Sequence, residues 1–411
     1  MKRLWIVNYY SSPPEFVANP RHLEFSKYLS RAGYDVTILS AGYLRDENID
    51  LVPAGKLFIK KIYDKIKFIH IKVRHYQGNG ITRMFSIFQF AWRILRYRNY
   101  FGRPDIVLHN IHAPFDALVL VSAKMMKASY VAEAWDLWPE SFVRFGLISR
   151  NSPLVWLSYK IEKLLYEKSD KIIFTFEGGI DYLRNQGWTT DSGGCISPKK
   201  VKYLNNGVNL KKFEFDKQQE GVIDADLDSP SEFKVVYLGS IRYVNNIKHL
   251  IDAAELLLSH REIKFYIYGD GADRDHLVEY CGENNITNVK FKAKWIPLAQ
   301  VPHVISRSSL NILNYQKNFG LYGVSSGKLF QYLAAGKPIC ANIKMNYCLI
   351  EGNNLGIAKD LETPREYADA ILSIAQLSSA DYSNMCLRVR EVAQRFDYDY
   401  LSNELMQILR E

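Results

Sequence analysis

Two turns in the C-terminal half carry residue types that could hold a phosphate. In "YGVSSGKLFQYLAAGKPICANI" (322–343), Gly323, Val324, Ser325, Ser326 and Gly327 lead into a helical pattern that ends at Gly336 and cannot continue past Pro338. A helix start presents free backbone N–H groups and a positive dipole end, and Lys328 adds a cation there. Lys328 and Gln331, at i and i+3, share one helix face, so one can reach a phosphate and the other a sugar hydroxyl. The second turn, "YLGSIRYVNN", places Gly239, Ser240 and Arg242 after an apolar run, and a guanidinium there suits a diphosphate. On spacing alone, a merely capped helix and a solvent-facing arginine account for the two turns equally well.

A third cluster is "VAEAWDLWPESF" (131–142), in which Glu133, Trp135, Asp136, Trp138 and Glu140 crowd the end of a β-branched and small apolar run. If that run is a parallel strand, Asp136 and Trp138 lie just past its carboxyl end, where open α/β sheets bind ligands. The competing reading makes both tryptophans core residues and Asp136 a helix cap.

Other matches fail on inspection. "GDGADR" from Gly269 lacks the third glycine of a dinucleotide fingerprint, and Gly327-Lys328 has neither the leading glycine nor the Ser/Thr of a Walker loop. His109 and His112 have helical spacing without an evident third metal ligand, and no metal site is expected. Five cysteines without a C-x-x-C pair argue against a zinc site or a disulfide framework and fit a reducing cytoplasm. No apolar run reaches the length of a membrane span.

Positioning these residues requires a scaffold. Of 411 residues, 47% are hydrophobic and 24% charged, which are ordinary globular values, and the length suits two domains. Short apolar runs alternate with helical patterns through "LWIVNYY", "VTILSA", "IVLHN" and "KIIFTF", and again from "FKVVYLGS" to "PICAN". That alternation predicts two doubly wound α/β domains of Rossmann type. The expected division is an N-terminal domain over 1–208, a polar connection over 209–232, a C-terminal domain over 233–394, and a last helix, 395–411, returning toward the N-domain. Such halves would face a central cleft.

With these segments in order, the chain resembles the GT-B glycosyltransferases of family 4, particularly bacterial enzymes that build surface polysaccharides. The likeness rests on "AWDLWPES", "LNNGVNLKKF", "GSI…KHLIDAAELL", "YGDGADRDHL" and "SSGKLFQYLAAGKPI", and extends from "NPRHLEFSKYLSRAGYDVTIL" to the last helix. The resemblance implies retaining transfer from a nucleotide-sugar, usually a uridine diphosphate sugar, with no obligatory metal or other cofactor. It implies that Gly269 and the segment Lys294, Trp295 and Ile296 meet the donor. It also implies that Glu15, Asn19, Arg21, His112, Glu133, Asp136 and Trp138 face the acceptor or the transferred sugar. Two departures stand out: Gly323 and Gln331 occupy positions where many members carry glutamates. Ser240 replaces the family's loop arginine and an asparagine stands near its lysine, so Arg242, Lys248 or Lys328 takes that part.

The net charge of +9 is concentrated. Between Lys56 and Arg103 there are twelve Lys/Arg and one acid, Asp64. Within this segment Met84, Ile87, Phe88, Ala91, Trp92 and Leu95 recur at helical spacing beside Arg93, Arg96 and Arg98, as in a helix that rests on anionic lipid. A stripe that is simply core gives the same pattern. The expectation is a cytoplasmic protein, peripheral on the inner face of the membrane, with a lipid-linked or glycan acceptor. A nucleotide-sugar epimerase on the same scaffold is the alternative, and a nucleic-acid-binding protein is disfavoured for want of a recognisable module.

Overall fold

The computed structural model describes residues 1–411 except 17–19, 79, 113, 145, 220–223, 317–320 and 324. The chain forms two compact units, one of Met1–Asn205 with Leu401–Glu411, the other of Asn206–Tyr400. Each is a Rossmann-like α/β domain.

Unit 1 is built on β1 (Arg3–Val7), β2 (Asp35–Ala41), β5 (Phe58–Tyr63), β6 (Ile66–Ile71), β7 (Ile106–Asn110), β8 (Ser129–Ala134), β9 (Lys171–Phe174) and β10 (Val201–Tyr203), with a small hairpin of β3 (Tyr43–Leu44) and β4 (Ile49–Asp50) beside them. The sheet order is β10-β9-β8-β7-β1-β2-β6-β5. All neighbours are parallel except edge strand β5, which is antiparallel to β6. The order reverses between β1 and β7, a switch point of the kind that opens a ligand crevice at the carboxyl ends. β7 is buried along its whole length, as a strand covered on both faces must be.

Unit 2 has β11 (Phe233–Leu238), β12 (Ile263–Tyr268), β13 (Val289–Phe291), β14 (Leu310–Leu313), β15 (Ile339–Ala341) and β16 (Gly356–Ala358), ordered β13-β12-β11-β14-β15-β16 and all parallel. Its switch point lies between β11 and β14, which pair through Val235↔Leu310 and Val236↔Asn311. One face packs Ile251, Leu250, Phe265 and Ile371 against the sheet, and the other packs Leu329, Phe330, Leu333 and Ile350.

The polar connection expected over 209–232 is not a bare linker. Asn209 caps the helix Leu210–Gln218 by accepting from the Lys212 N–H, and Phe213 is buried in the core of unit 2. One apolar residue and one good cap outweigh a polar composition there. Further on, Asp224 and Asp226 are held by Lys292 at 2.7 and 2.5 Å, and Lys290 takes Asp226 at 2.7 Å.

The glycines of "GDG" serve packing. Gly269 has φ +129°, and a Cβ there would lie 1.8 Å from the Gly239 carbonyl oxygen; one on Gly271 would lie 2.0 Å from that of Ile241. The loops after β11 and β12 are also joined by Gly239 N–H to Tyr268 O at 3.0 Å and Ile241 N–H to Asp270 O at 2.8 Å. Arg274 closes the assembly by donating to Gly269 O at 2.6 Å and Lys292 O at 2.7 Å. Gly269→Ala is therefore expected to destabilise unit 2 by about 1–3 kcal/mol. Gly282→Ala, where an added methyl meets nothing within 4 Å, should stay within about 1 kcal/mol of the parent; equal urea midpoints for the two variants would refute the close-approach account.

Candidate functional site

In unit 2 the helix Gly327–Ala335 begins after Ser326, which is extended and makes no side-chain cap bond. Ser325 is occupied elsewhere, since the Asn206 amide donates to its carbonyl and hydroxyl oxygens at 2.8 Å each. The expected serine side-chain cap is thus absent; Leu329 N–H donates to Ser326 O at 3.0 Å, and the N–H groups of Gly327 and Lys328 have no acceptor among the described residues. Gly323, at φ +98°, takes a left-handed conformation just before this turn. Val324 lies outside the described residues.

Lys328 crosses from the helix to the carboxyl end of β11. Its ammonium lies 3.3 Å from the Tyr237 hydroxyl oxygen and 4.7 Å from the centroid of that ring. A Cβ on Gly239 would come within 2.1 Å of Lys328 Nζ, so only glycine leaves room for the lysine. Among the described residues Lys328 has no carboxylate partner, and burial lowers its pKa from the usual lysine value to about 8. A half-buried ammonium against an aromatic ring at a helix start has the chemistry to receive an anion.

Arg242 is exposed on the turn after β11, and Ser240 Oγ donates to Asn245 Oδ1 at 2.9 Å. Lys248 is directed elsewhere: it pairs with Asp252 at 2.8 Å and lies 4.3 Å from the Tyr280 centroid. An i,i+4 carboxylate captured it, so it is removed from the phosphate set. Gln331 is half-buried three residues after Lys328. Lys294 pairs at 3.8 and 3.6 Å with Asp270 and Asp275, Trp295 is 76% exposed, and Ile296 packs on the core near Leu238. Tyr237 and Arg274 escaped the sequence reading. Tyr237 stands two residues before Gly239 in a strand, where a tyrosine ordinarily signals core.

In unit 1 the acids of "VAEAWDLWPESF" part company. Glu133 is fully buried, with Arg21 at 2.8 Å, His22 Nε2 at 2.7 Å and the Trp135 indole N–H at 2.7 Å. Arg21 is also fully buried and donates to the carbonyls of Leu204, at 2.8 Å, and Asn205. Burial would raise the Glu133 pKa, but Arg21 and His22 overcome it and hold the carboxyl down to about 2. Arg21 and Glu133 are therefore corrected from acceptor-facing groups to an internal tie between the helix Arg21–Arg31, β8 and the end of β10. Glu140 is likewise spent on Arg144 at 2.7 Å and the Tyr159 hydroxyl at 2.5 Å. Asp136 alone is exposed.

Asp136 and Trp138 line a small pocket with Ile111, His112 and Glu162. His112 Nδ1 lies 3.1 Å from Asn110 O, which accepts its proton and leaves Nε2 as the bare acceptor; Nε2 is buried without a hydrogen-bond partner among the described residues. Burial lowers the His112 pKa despite Asp116, so the ring is neutral near pH 7. Glu162, which sequence reading also missed, receives the Tyr182 hydroxyl proton at 2.7 Å, and burial raises its pKa. His109 instead turns into the core toward Tyr130, at 2.7 Å. Glu15 is exposed near the start of the chain, and Asn19 lies outside the described residues.

Two Rossmann-like domains in one chain are the architecture of the GT-B fold. A family model described as "Glycosyltransferase Family 4" matches residues 21–212, and one described as "Glycosyl transferases group 1" matches 232–376. The chain belongs to this family and is a glycosyltransferase. It is similar to the protein described as "Probable glycosyltransferase WbjE" of Pseudomonas aeruginosa, with 21% identity over 80% of this chain and 78% of that one. Among solved structures, WaaG, described as a glycosyltransferase involved in lipopolysaccharide biosynthesis, has a TM-score of 0.67 at 13% identity, covering 98% of this chain and 99% of its own. Anabaena HepE in complex with UDP and glucose has a TM-score of 0.66 at 13% identity, covering all of both chains. These relatives favour transfer over epimerisation.

Glu133→Gln removes the negative charge from a site holding Arg21 and His22, and should cost about 3–5 kcal/mol of stability. Asp136→Asn at the exposed pocket edge should cost under about 0.5 kcal/mol. Denaturant unfolding of both variants compares them; a small loss for Glu133→Gln would show that the buried network does not hold the unit together.

Proposed function

We propose that the chain transfers a sugar from a nucleotide-sugar, specifically a uridine diphosphate sugar, to a lipid-linked or polysaccharide acceptor in cell-surface polysaccharide assembly. Transfer retains the anomeric configuration and requires no resident metal. The observation that carries this reading is Lys328, a cation without a carboxylate at an uncapped helix start. The UDP and glucose named with HepE and the lipopolysaccharide role named for WaaG support the choice of donor and product.

As the C1–phosphate bond breaks, negative charge develops on the departing diphosphate. The first-turn N–H groups and the Lys328 ammonium stabilise that charge, with Arg242 as the second cation. The acceptor hydroxyl attacks C1 from the same face, and its proton passes to the departing phosphate oxygen, so no side-chain nucleophile takes part. Gln331 receives or donates a hydrogen bond at the ribose hydroxyls, and Trp295 and Ile296 meet the base. On the acceptor side Trp138 supplies a ring for a pyranose face, while Asp136 and His112 Nε2 accept hydroxyl hydrogens.

The enzyme works in the cytoplasm, resting on the inner face of the membrane. No described helix is long and apolar enough to cross a membrane. In the helix Ile81–Phe101, Ile87, Phe90, Ala91 and Ile94 face the core, whereas Phe85 and Trp92 are 44% and 49% exposed. That exposed aromatic pair, close to Arg74 and Arg96, supports contact with anionic lipid.

Lys328→Ala should lower turnover by about 10²–10³-fold with little change in unfolding midpoint; a loss below tenfold would remove the assignment. Lys328 carries its charge below about pH 8 and a bound diphosphate favours the charged form. UDP affinity is therefore expected to fall as pH rises through that value, by at most about tenfold per unit. Lys328→Arg, which stays charged, should flatten the decline. Turnover surviving a chelator, with an α-anomeric product from an α-anomeric donor by NMR, checks metal independence and retention.

A further inference from the structure

Unit 1 has a second cavity at the amino ends of its strands, the opposite end from His112 and Asp136. Alternate residues of a strand point to one face, and here Arg3 and Trp5, Asp35 and Thr37, and Lys67 and Ile69 share a face with Lys60 and Ile62 of the edge strand. In a doubly wound sheet such positions are ordinarily apolar and covered by helix. Of the helix Ile81–Phe101, Tyr97 and Tyr100 reach Phe58 at the edge of this face, and Phe101 lines the cavity, its ring 6.2 Å from Trp5 and 4.9 Å from Phe58. The chain then turns away at Gly102, φ +101°, and leaves a cavity of about 420 Å³. That is a ligand-sized volume.

Its floor is apolar and its rim is cationic. Trp5, Ile69 and Phe101 are at most 6% exposed. Around them stand Arg3, Lys60, Lys61, Lys67 and Arg103, with Asp35 as the lining acid. Asp35 neutralises Lys67 at 2.6 Å, and Asp105 neutralises Arg3 at 3.4 Å. The other three cations have no carboxylate among the described residues, but Lys61, opposite Phe68 and 5.9 Å from the Tyr63 ring, belongs to the other face of the sheet. Lys60 donates to Tyr100 O at 2.7 Å and Arg103 to Met126 O at 3.2 Å. Carbonyl partners orient these two groups without cancelling their charge. The concentrated charge of the Lys56–Arg103 segment thus has a concave focus.

We propose that this cavity binds a phosphate ester with an apolar body. Its phosphate is held by Lys60 and Arg103, and its apolar part lies over Trp5 and Phe101. Two unneutralised cations around one concavity suit a dianion better than a single carboxylate. A buried aromatic floor adds nothing for inorganic phosphate or a bare sugar phosphate, so the apolar body discriminates among anions. The proposal is independent of the transfer reaction, because the cavity shares no residue with the pocket of His112 and Asp136 or with Lys328.

The test is calorimetric titration of the full chain with phenyl phosphate, monomeric dihexanoyl phosphatidic acid and inorganic phosphate, alongside co-sedimentation with phosphatidylcholine vesicles with and without phosphatidic acid. Both esters should bind more tightly than inorganic phosphate. Lys60→Ser combined with Arg103→Ser, two exposed changes, should weaken the esters by about tenfold or more while UDP binding is unchanged. Preference for phosphatidic acid in both formats supports a lipid source, and preference for phenyl phosphate a soluble one. Ester binding equal in parent and double variant, or absent for both esters, would overturn the proposal.

Discussion

The ammonium of Lys328 is the feature around which unit 2 is arranged. A cation removed from water without a carboxylate is costly, and the chain makes it tolerable in small ways. The Tyr237 ring lies 4.7 Å away, the Tyr237 oxygen is within 3.3 Å, and Gly239 contributes no side chain. None of these cancels the charge. The helix Gly327–Ala335 adds its own partial positive end and leaves its first N–H groups uncapped. The same economy runs to the neighbouring loop, where Gly269 is a glycine because Gly239 lies against it. A site so assembled has the charge and the donors to accept an anion, which is what the proposed diphosphate leaving group would supply.

Unit 1 follows a different rule at the corresponding end of its sheet. Of the carboxylates gathered there, Glu133 holds Arg21, His22 and Trp135, and Glu140 holds Arg144 and Tyr159, whereas Glu162 accepts from the Tyr182 hydroxyl on one oxygen and leaves the other without a hydrogen-bond partner among the described residues. Their function is to fix the strand end and the helices that follow. Asp136 is left exposed beside Trp138 and the unpartnered Nε2 of His112. A polar pocket with few but unspent acceptors, in a rigid frame of spent ones, suits the sugar hydroxyls proposed for it.

Pairing also sorts the cations, and sequence position alone does not reveal the sorting. Lys248 and Lys328 both follow glycine-containing turns, yet Lys248 has Asp252 one helical turn away and Lys328 has no carboxylate partner among the described residues. In the segment Lys56–Arg103, Lys67 and Lys72 are matched by Asp35 and Asp50, whereas among the described residues Lys60, Lys61 and Arg103 meet carbonyls or a ring. Which cation is available to a ligand is a statement about neighbours that are distant along the chain.

What the amino-acid order determined by itself were the local patterns: strand and helix alternation, hence two Rossmann-like domains, and the turns that end β11 and begin the Gly327–Ala335 helix. These signals are short-range, since periodicity and turn chemistry act within a few residues. The segment 209–232 misled for the same reason, because its polar composition hid the buried Phe213 and Leu227. Only the tertiary structure decided that Glu133 and Arg21 are internal while Asp136 is not, that Tyr237 supports Lys328, and that Glu162 reaches the His112 pocket. Arg21 and Glu133 are separated by 111 intervening residues, and charge compensation across such a span depends on which strands become neighbours.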